Sequence, residues 1–186
     1  MDTSQHQIMH NRVRIEIVTT QEQLMHALYI RSICYMEGEG LKLNQAFDGN
    51  DFQSTHVVVY DEAEPIGAAR VRWFQDFAKI ERTAFRPAYR NPRLLKRMAE
   101  ELFVHIARKG YSKVITHAGP QYARLWNRLL GFAVVEDKHP LISPSYEDCV
   151  EMIKYLEVPE NAITLNSDIG TLYRIEGFWD HPTWLG

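Results

Sequence analysis

Apolar and polar positions along the chain fall into runs whose period switches between two and about three and a half. Val13-Arg-Ile-Glu-Ile-Val18 alternates, which predicts a strand with one buried face. Thr20 is placed to cap a helix reaching about Tyr35, with Leu24, Met25, Leu28, Tyr29 and Ile33 as its apolar stripe. Glu37-Gly-Glu-Gly-Leu-Lys42 and Asp48-Gly-Asn-Asp51 carry the short polar residues and glycines of turns. His56-Val-Val-Val-Tyr60 and Ile66-Gly-Ala-Ala-Arg-Val-Arg-Trp73 flank the polar Asp61-Glu-Ala-Glu-Pro65 and predict an antiparallel hairpin.

The most informative stretch comes next, from Lys79 to Met98. Ile80, Ala84 and Phe85 belong to a strand, and Asn91 and Pro92 suit the N-cap and first turn of a helix. Leu94, Leu95, Met98, Ala99, Leu102, Phe103, Ile106 and Ala107 then recur at helical spacing, and Gly110 closes the run. Val114-Ile-Thr-His-Ala118 predicts a strand, Gln121–Leu130 a helix ending at Gly131-Phe132, and Ala133–Val135 a further strand. Cys149–Leu156 fits a strand or a short helix equally by pattern; a strand is preferred. Residues 1–12 are polar and aperiodic and are expected to fray. Residues 157–186 are turn-rich and end in Phe178-Trp-Asp-His-Pro-Thr-Trp184, an aromatic extension expected to pack on the domain formed by residues 13–156. One parallel crossover over the 92–109 helix indicates a mixed α/β sheet.

Composition narrows the function classes. At 186 residues and 45% hydrophobic, the chain can bury one sizeable core. Its net charge of −3 and pI near 6.2 argue against nucleic-acid binding as a general role. No apolar run approaches a membrane span, and the polar start lacks a secretory pattern. Cys34 and Cys149 lie far apart in apolar surroundings, as buried thiols of a reducing, cytoplasmic compartment would.

Against the acidic balance, six cations crowd one stretch: Arg82, Arg86, Arg90, Arg93, Lys96 and Arg97. Cations at a helix start oppose the helix dipole, so an anion is expected there, above all a phosphate. The eight histidines show no metal-ligand spacing, so no metal is expected. No Gly-x-Ser-x-Gly elbow is present, and neither cysteine has a local signature for nucleophilic work.

Three stretches resemble the general N-acetyltransferase (GNAT) superfamily. Lys79-Ile-Glu-Arg-Thr-Ala-Phe-Arg-Pro-Ala-Tyr-Arg90 is similar to its fourth strand and the entry to its acyl-CoA turn. Thr116-His-Ala118 with Leu125-Trp-Asn-Arg-Leu-Leu-Gly-Phe132 is similar to its fifth strand and following helix. Arg31-Ser-Ile-Cys-Tyr-Met-Glu37, Asp48-Gly-Asn-Asp51, His56 and Gly67-Ala-Ala-Arg70 resemble a branch near the acyl-homoserine lactone synthases and long-chain N-acyltransferases. The resemblance implies a mostly antiparallel sheet of six or seven strands flanked by helices and splayed between its fourth and fifth strands. It also implies direct transfer of an acyl group, acetyl by default, from acyl-CoA to a small-molecule amine.

By that resemblance, Ala84, Phe85, Arg86, Arg90, Asn91, Arg93, Leu94 and Asn127 would contact the donor, with Glu81 as general base. Pairing of Glu81 with Arg82 or Lys79 on a strand surface is the plainer alternative. Where the family carries glycines in its phosphate turn, Arg93 and Leu95 stand here, so arginine side chains and the helix start would hold the phosphates. Tyr122 is the tyrosine nearest the family's thiolate-protonating position, one helical turn early. Arg31, Asp48, Asp51 and Arg70 would lie on the acceptor side, receiving a cation or pairing with one another. A carrier-protein donor of longer acyl chains, a homodimer, and a ligand-binding member without turnover remain alternatives.

Overall fold

The computed structural model describes residues 12–136 and 149–180. Its strands are β1 (Val13–Ile17), β2 (Thr55–Asp61), β3 (Glu64–Trp73), β4 (Ala78–Phe85), β5 (Lys113–Ala118), β6 (Ala133–Val134) and β7 (Val150–Tyr155). Its helices are α1 (Gln21–Arg31), α2 (Leu43–Ala46), α3 (Pro92–Arg108), α4 (Pro120–Leu130) and α5 (Ile169–Tyr173), with a π-helical turn over Ser32–Glu37 and a 3₁₀ turn over Pro87–Tyr89. The strands follow the order β1-β2-β3-β4-β5-β7-β6 in one mixed, mostly antiparallel sheet flanked by helices, as expected. Cys149–Leu156 does contain a strand, β7. Two compact units share β3 and β4: one comprises residues up to Arg70 with Arg82–Asn91, the other Val71–Glu81 with residues from Pro92 onward.

In the first unit, β1 pairs antiparallel with β2 from Val13↔Asp61 to Ile17↔Val57. Val57 to Tyr60 are all buried, so β2 is covered on both faces. Thr20 and Gln23 form a reciprocal capping box at the start of α1, which satisfies donors that a helix start leaves open. The buried face of α1 differs from the stripe read in the sequence. Ala27, Ile30 and Arg31 are buried and Cys34 continues that face, whereas Met25 and Tyr29 are exposed. Ala27, Ile30 and Cys34 pack with Val58, Tyr60, Ala68 and Ala84 in one cluster. The stripe misled because Arg31 counts as polar in any periodicity yet points inward.

Two backbone details shape this unit. Gly67 lies under the ring of Phe85, where an added Cβ would come within 2.4 Å of Phe85 Cε1, so only glycine lets that ring lie flat. Arg82, inside β4, has φ 55°, a left-handed conformation uncommon for a residue other than glycine.

In the second unit, β4 and β5 pair in parallel through Ala78↔Val114 and Lys79↔Ile115. β5 pairs antiparallel with β7 along its whole length, and β6 lies on the far side of β7. α3 buries Leu94, Met98, Ala99, Leu102, His105, Ile106 and Ala107, the face its period predicts. Gly131 ends α4 with φ 74°, and Phe132 follows it into the core edge-on to Trp126. Residues beyond β7 return to the C-terminal half of α3. His105 stacks on Trp179 at 4.9 Å and meets Glu176 at 3.0 Å, while Lys109 and Arg108 pair with Glu176 and Asp180. The aromatic extension's residues 181–184 lie outside the described residues, as do residues 1–11.

Candidate functional site

The first unit builds its charged centre from α1, the Asp48–Asp51 turn, β2, β3 and Arg82 of β4. Arg70 is completely buried and grips Asp48 with both terminal nitrogens, at 2.8 and 2.7 Å, while its Nη1 also reaches Asp51 at 2.8 Å. Arg31, equally buried, donates to Asp51 and to the carbonyl of Ala46, with its guanidinium over the Phe47 ring. Arg82 adds a third cation, 3.1 Å from Asp48 Oδ2. His56 Nε2 lies 3.0 Å from the Asp51 carbonyl oxygen. All four residues expected on the acceptor side are therefore brought together. Their geometry is that of a bidentate, charge-assisted network, which fixes the 48–51 turn rigidly against β3.

The electrostatics follow from that arrangement. Hydrogen bonds from Arg70 hold the Asp48 carboxyl far below the usual carboxylate range, outweighing its burial. Burial pushes Asp51 up, but the bonds from Arg31 and Arg70 prevail and lower it. Burial pushes the His56 imidazole down, so it stays neutral. All three shifts make acid destabilising. An unfolded His56 takes up a proton below about pH 6.5, which the folded ring resists, and the unfolded aspartates do so below about pH 4. Urea unfolding should therefore show stability falling first as pH drops below about 6.5 and again below about 4. His56→Gln should erase the upper step and leave the lower one.

At the end of β4, Ala84 and Phe85 are buried and the chain turns through Pro87–Tyr89. Arg86 pairs with Glu64 and lies 5.8 Å from the centre of the Tyr89 ring. Arg90 Nε donates to the Phe85 carbonyl at 3.4 Å. Asn91 leads directly into α3, where Arg93 is exposed and Leu94 buried. Among the cations crowding this stretch, Arg82 pairs with Asp48, Arg86 with Glu64, and Lys96 with Glu100. The unfavourable charge at the helix start is thus partly compensated internally.

The second unit carries Glu81, Tyr122 and Asn127. Glu81 sits 2.9 Å from Lys79 Nζ and 4.0 Å from Arg72 Nε, largely shielded from water. Tyr122 is exposed on the first turn of α4. Asn127 donates to the Phe132 carbonyl at 2.7 Å, bracing the turn out of α4. Sequence reasoning does not single out His117 on β5 and Glu151 on β7, a cross-strand pair with Nε2–Oε2 at 3.5 Å. Only the strand order makes them neighbours, and they are 34 residues apart in sequence. Sequence reasoning also gives no sign that Arg82 has a left-handed backbone. Among the described residues, no group of three or more His, Cys, Asp or Glu side chains is placed to hold a metal ion. Cys34 and Cys149 are buried and not disulfide-bonded, and among the described residues no helix is long and apolar enough to cross a membrane.

Residues 23–132 match the model of the acetyltransferase (GNAT) family, and the chain belongs to that family. It is 27% identical over 122 residues to the uncharacterized N-acetyltransferase YjcF of Bacillus subtilis (strain 168), covering 66% of this chain and 86% of that one. Its fold is similar to a crystal structure of a Lactobacillus plantarum protein assigned as an N-acetyltransferase. There the TM-score is 0.72 at 21% identity, over 79% of this chain and all of that one. It is also similar to FeeM, an N-acyl amino acid synthase from uncultured soil microbes, with TM-score 0.66 at 13% identity over 80% and 92% of the two chains.

Proposed function

We propose that the protein is an N-acyltransferase moving an acyl group, acetyl by default, from acyl-CoA to a small amine by direct transfer. The observation carrying this reading is the left-handed backbone of Arg82 inside β4. In this reading it interrupts the regular ladder and leaves a neighbouring backbone N–H for the substrate. Such a group is what a thioester carbonyl needs to become electrophilic, because it is fixed before the reaction and costs no reorganisation. Ala84 and Phe85 then lie along the acyl-pantetheine arm. Arg86, Arg90, Asn91, Arg93 and Leu94 form the turn for the CoA phosphates, and Asn127 borders the arm from α4. Arg31, Arg70, Asp48 and Asp51 hold the acceptor loop in place. Glu81 draws the proton from the acceptor ammonium through water, and Tyr122 stands nearest to the leaving thiolate.

Free-thiol release from acyl-CoAs of increasing chain length, each with a panel of amines, tests the reading. Donor binding without release for any acceptor would replace it with that of a ligand-binding member of the fold. A longer acyl chain, delivered by CoA or a carrier protein, is a second reading, favoured by the likeness to FeeM and by the paired Arg31–Asp51 and Arg70–Asp48. Chain-length preference in the same assay decides between them.

Arg90→Ala and Arg93→Ala should each weaken acetyl-CoA binding about three- to tenfold in calorimetry, more at low salt, because phosphate pairing is screened by added ions. Unchanged donor affinity in both variants removes the turn from the donor site.

A further inference from the structure

The second unit carries an imidazole–acid pair, His117 and Glu151, that the proposed chemistry has not used, next to the strand that carries Glu81. β4 and β5 are in parallel register at Lys79↔Ile115, and Glu81 and His117 lie two residues further along each strand. Side chains two apart share a face, so both project on the face opposite to buried Ile80, Val114 and Thr116. On the other side of β5, His117 stands directly across from Glu151 of β7, and their side chains meet at 3.5 Å. Both are largely withdrawn from water, with side-chain exposures of 17% and 13%. β7 thus brings Glu151 against His117, and Glu81 lies on the neighbouring strand β4, just beyond that strand's last residue paired with β5.

We infer that His117 is the group on which the acceptor's proton comes to rest, with Glu151 as the residue that positions its ring. This rests on the acyltransferase reading. A carboxylate such as Glu81, ordinarily titrating near 4.3, is a poor final acceptor for an ammonium proton, whereas an imidazole near 6.5 is matched to neutral pH. With Nε2 turned to Glu151, the proton arrives at Nδ1. One ammonium proton passes through the Glu81-held water to His117 Nδ1, and the freed amine attacks the thioester carbonyl. The C–N bond forms, the C–S bond breaks, and the second nitrogen proton goes to the departing thiolate. His117 then releases its proton to solvent. Glu151 stabilises the imidazolium by charge, while Lys79, beside Glu81 on β4, opposes it.

The test uses the full chain and thiol release from acetyl-CoA with the amine panel, circular dichroism confirming that each variant is folded. His117→Gln should lower kcat/KM about 100-fold, in the range general bases contribute. His117→Ala should regain activity when imidazole is added to the buffer. Glu151→Gln should keep substantial activity but move the acidic limb of the pH–rate profile to lower pH by about one unit, because the imidazolium loses a countercharge. Turnover by the wild type with His117→Gln within twofold of it overturns the inference and leaves the acyltransferase reading standing. Activity loss in His117→Ala without imidazole rescue, together with an unmoved pH limb in Glu151→Gln, assigns the pair to structure and also overturns it. Absence of release by the wild type with every amine overturns both.

Discussion

Replacing Arg70 with methionine is expected to remove about 3–5 kcal/mol of folding stability. Methionine fills much the same volume, so the loss comes from charge rather than from a cavity. Arg70 has no exposure to water and supplies three of the short bonds that hold Asp48 and Asp51. Without it, Asp48 keeps Arg82 and Asp51 keeps Arg31, but buried Asp51 and the more open Asp48 lose the cation they share. Denaturant unfolding at pH 7 reads the effect as a lower midpoint with an unchanged slope. The acid-limb dependence should also flatten, since Asp48 would no longer be held so far below its unfolded value. A midpoint shift worth less than about 1 kcal/mol would mean that the network contributes rigidity without net stability.

Glu81→Gln should lower kcat about 100-fold while leaving acetyl-CoA affinity within twofold, because glutamine preserves shape but accepts no proton. Stopped-flow thiol release together with calorimetric binding separates the two quantities. Loss of binding in parallel with turnover would point to the broken pair with Lys79, and so to a structural carboxylate. A rate within twofold of wild type removes Glu81 from the proton path.

The parts of the fold that the sequence discloses are those where one local rule decides. α3 is legible because its apolar face is long and its start and stop carry Pro92 and Gly110. β5 and α4 are legible through short alternation and the Gly131-Phe132 stop. The face of α1 is not, because its decisive inward residue is Arg31, and a charge turned inward can be read only from the partner that neutralises it. Arg31, Asp48, Asp51 and Arg70, which the structure joins in one network, are legible as a set, since two arginines and two aspartates in these positions resemble a known pattern. Arg82 and His117 are different cases. A left-handed residue inside a strand and a pairing across β5 and β7 depend on contacts distant in sequence, which neither propensity nor period encodes.

The strand order of the second unit bears on how the chain is made. β6 is synthesised before β7, yet its ladder is with β7, and β7 also supplies the whole antiparallel edge of β5. On a ribosome, therefore, β5 and β6 emerge with exposed pairing edges and wait for about a further fifteen residues before the strand that joins them exists. Trp179, which covers His105 of α3, arrives later still. Closure of this unit consequently waits for β7, and it is during that interval, rather than in the finished protein, that the unpaired edges of β5 and β6 are open to capture by another chain.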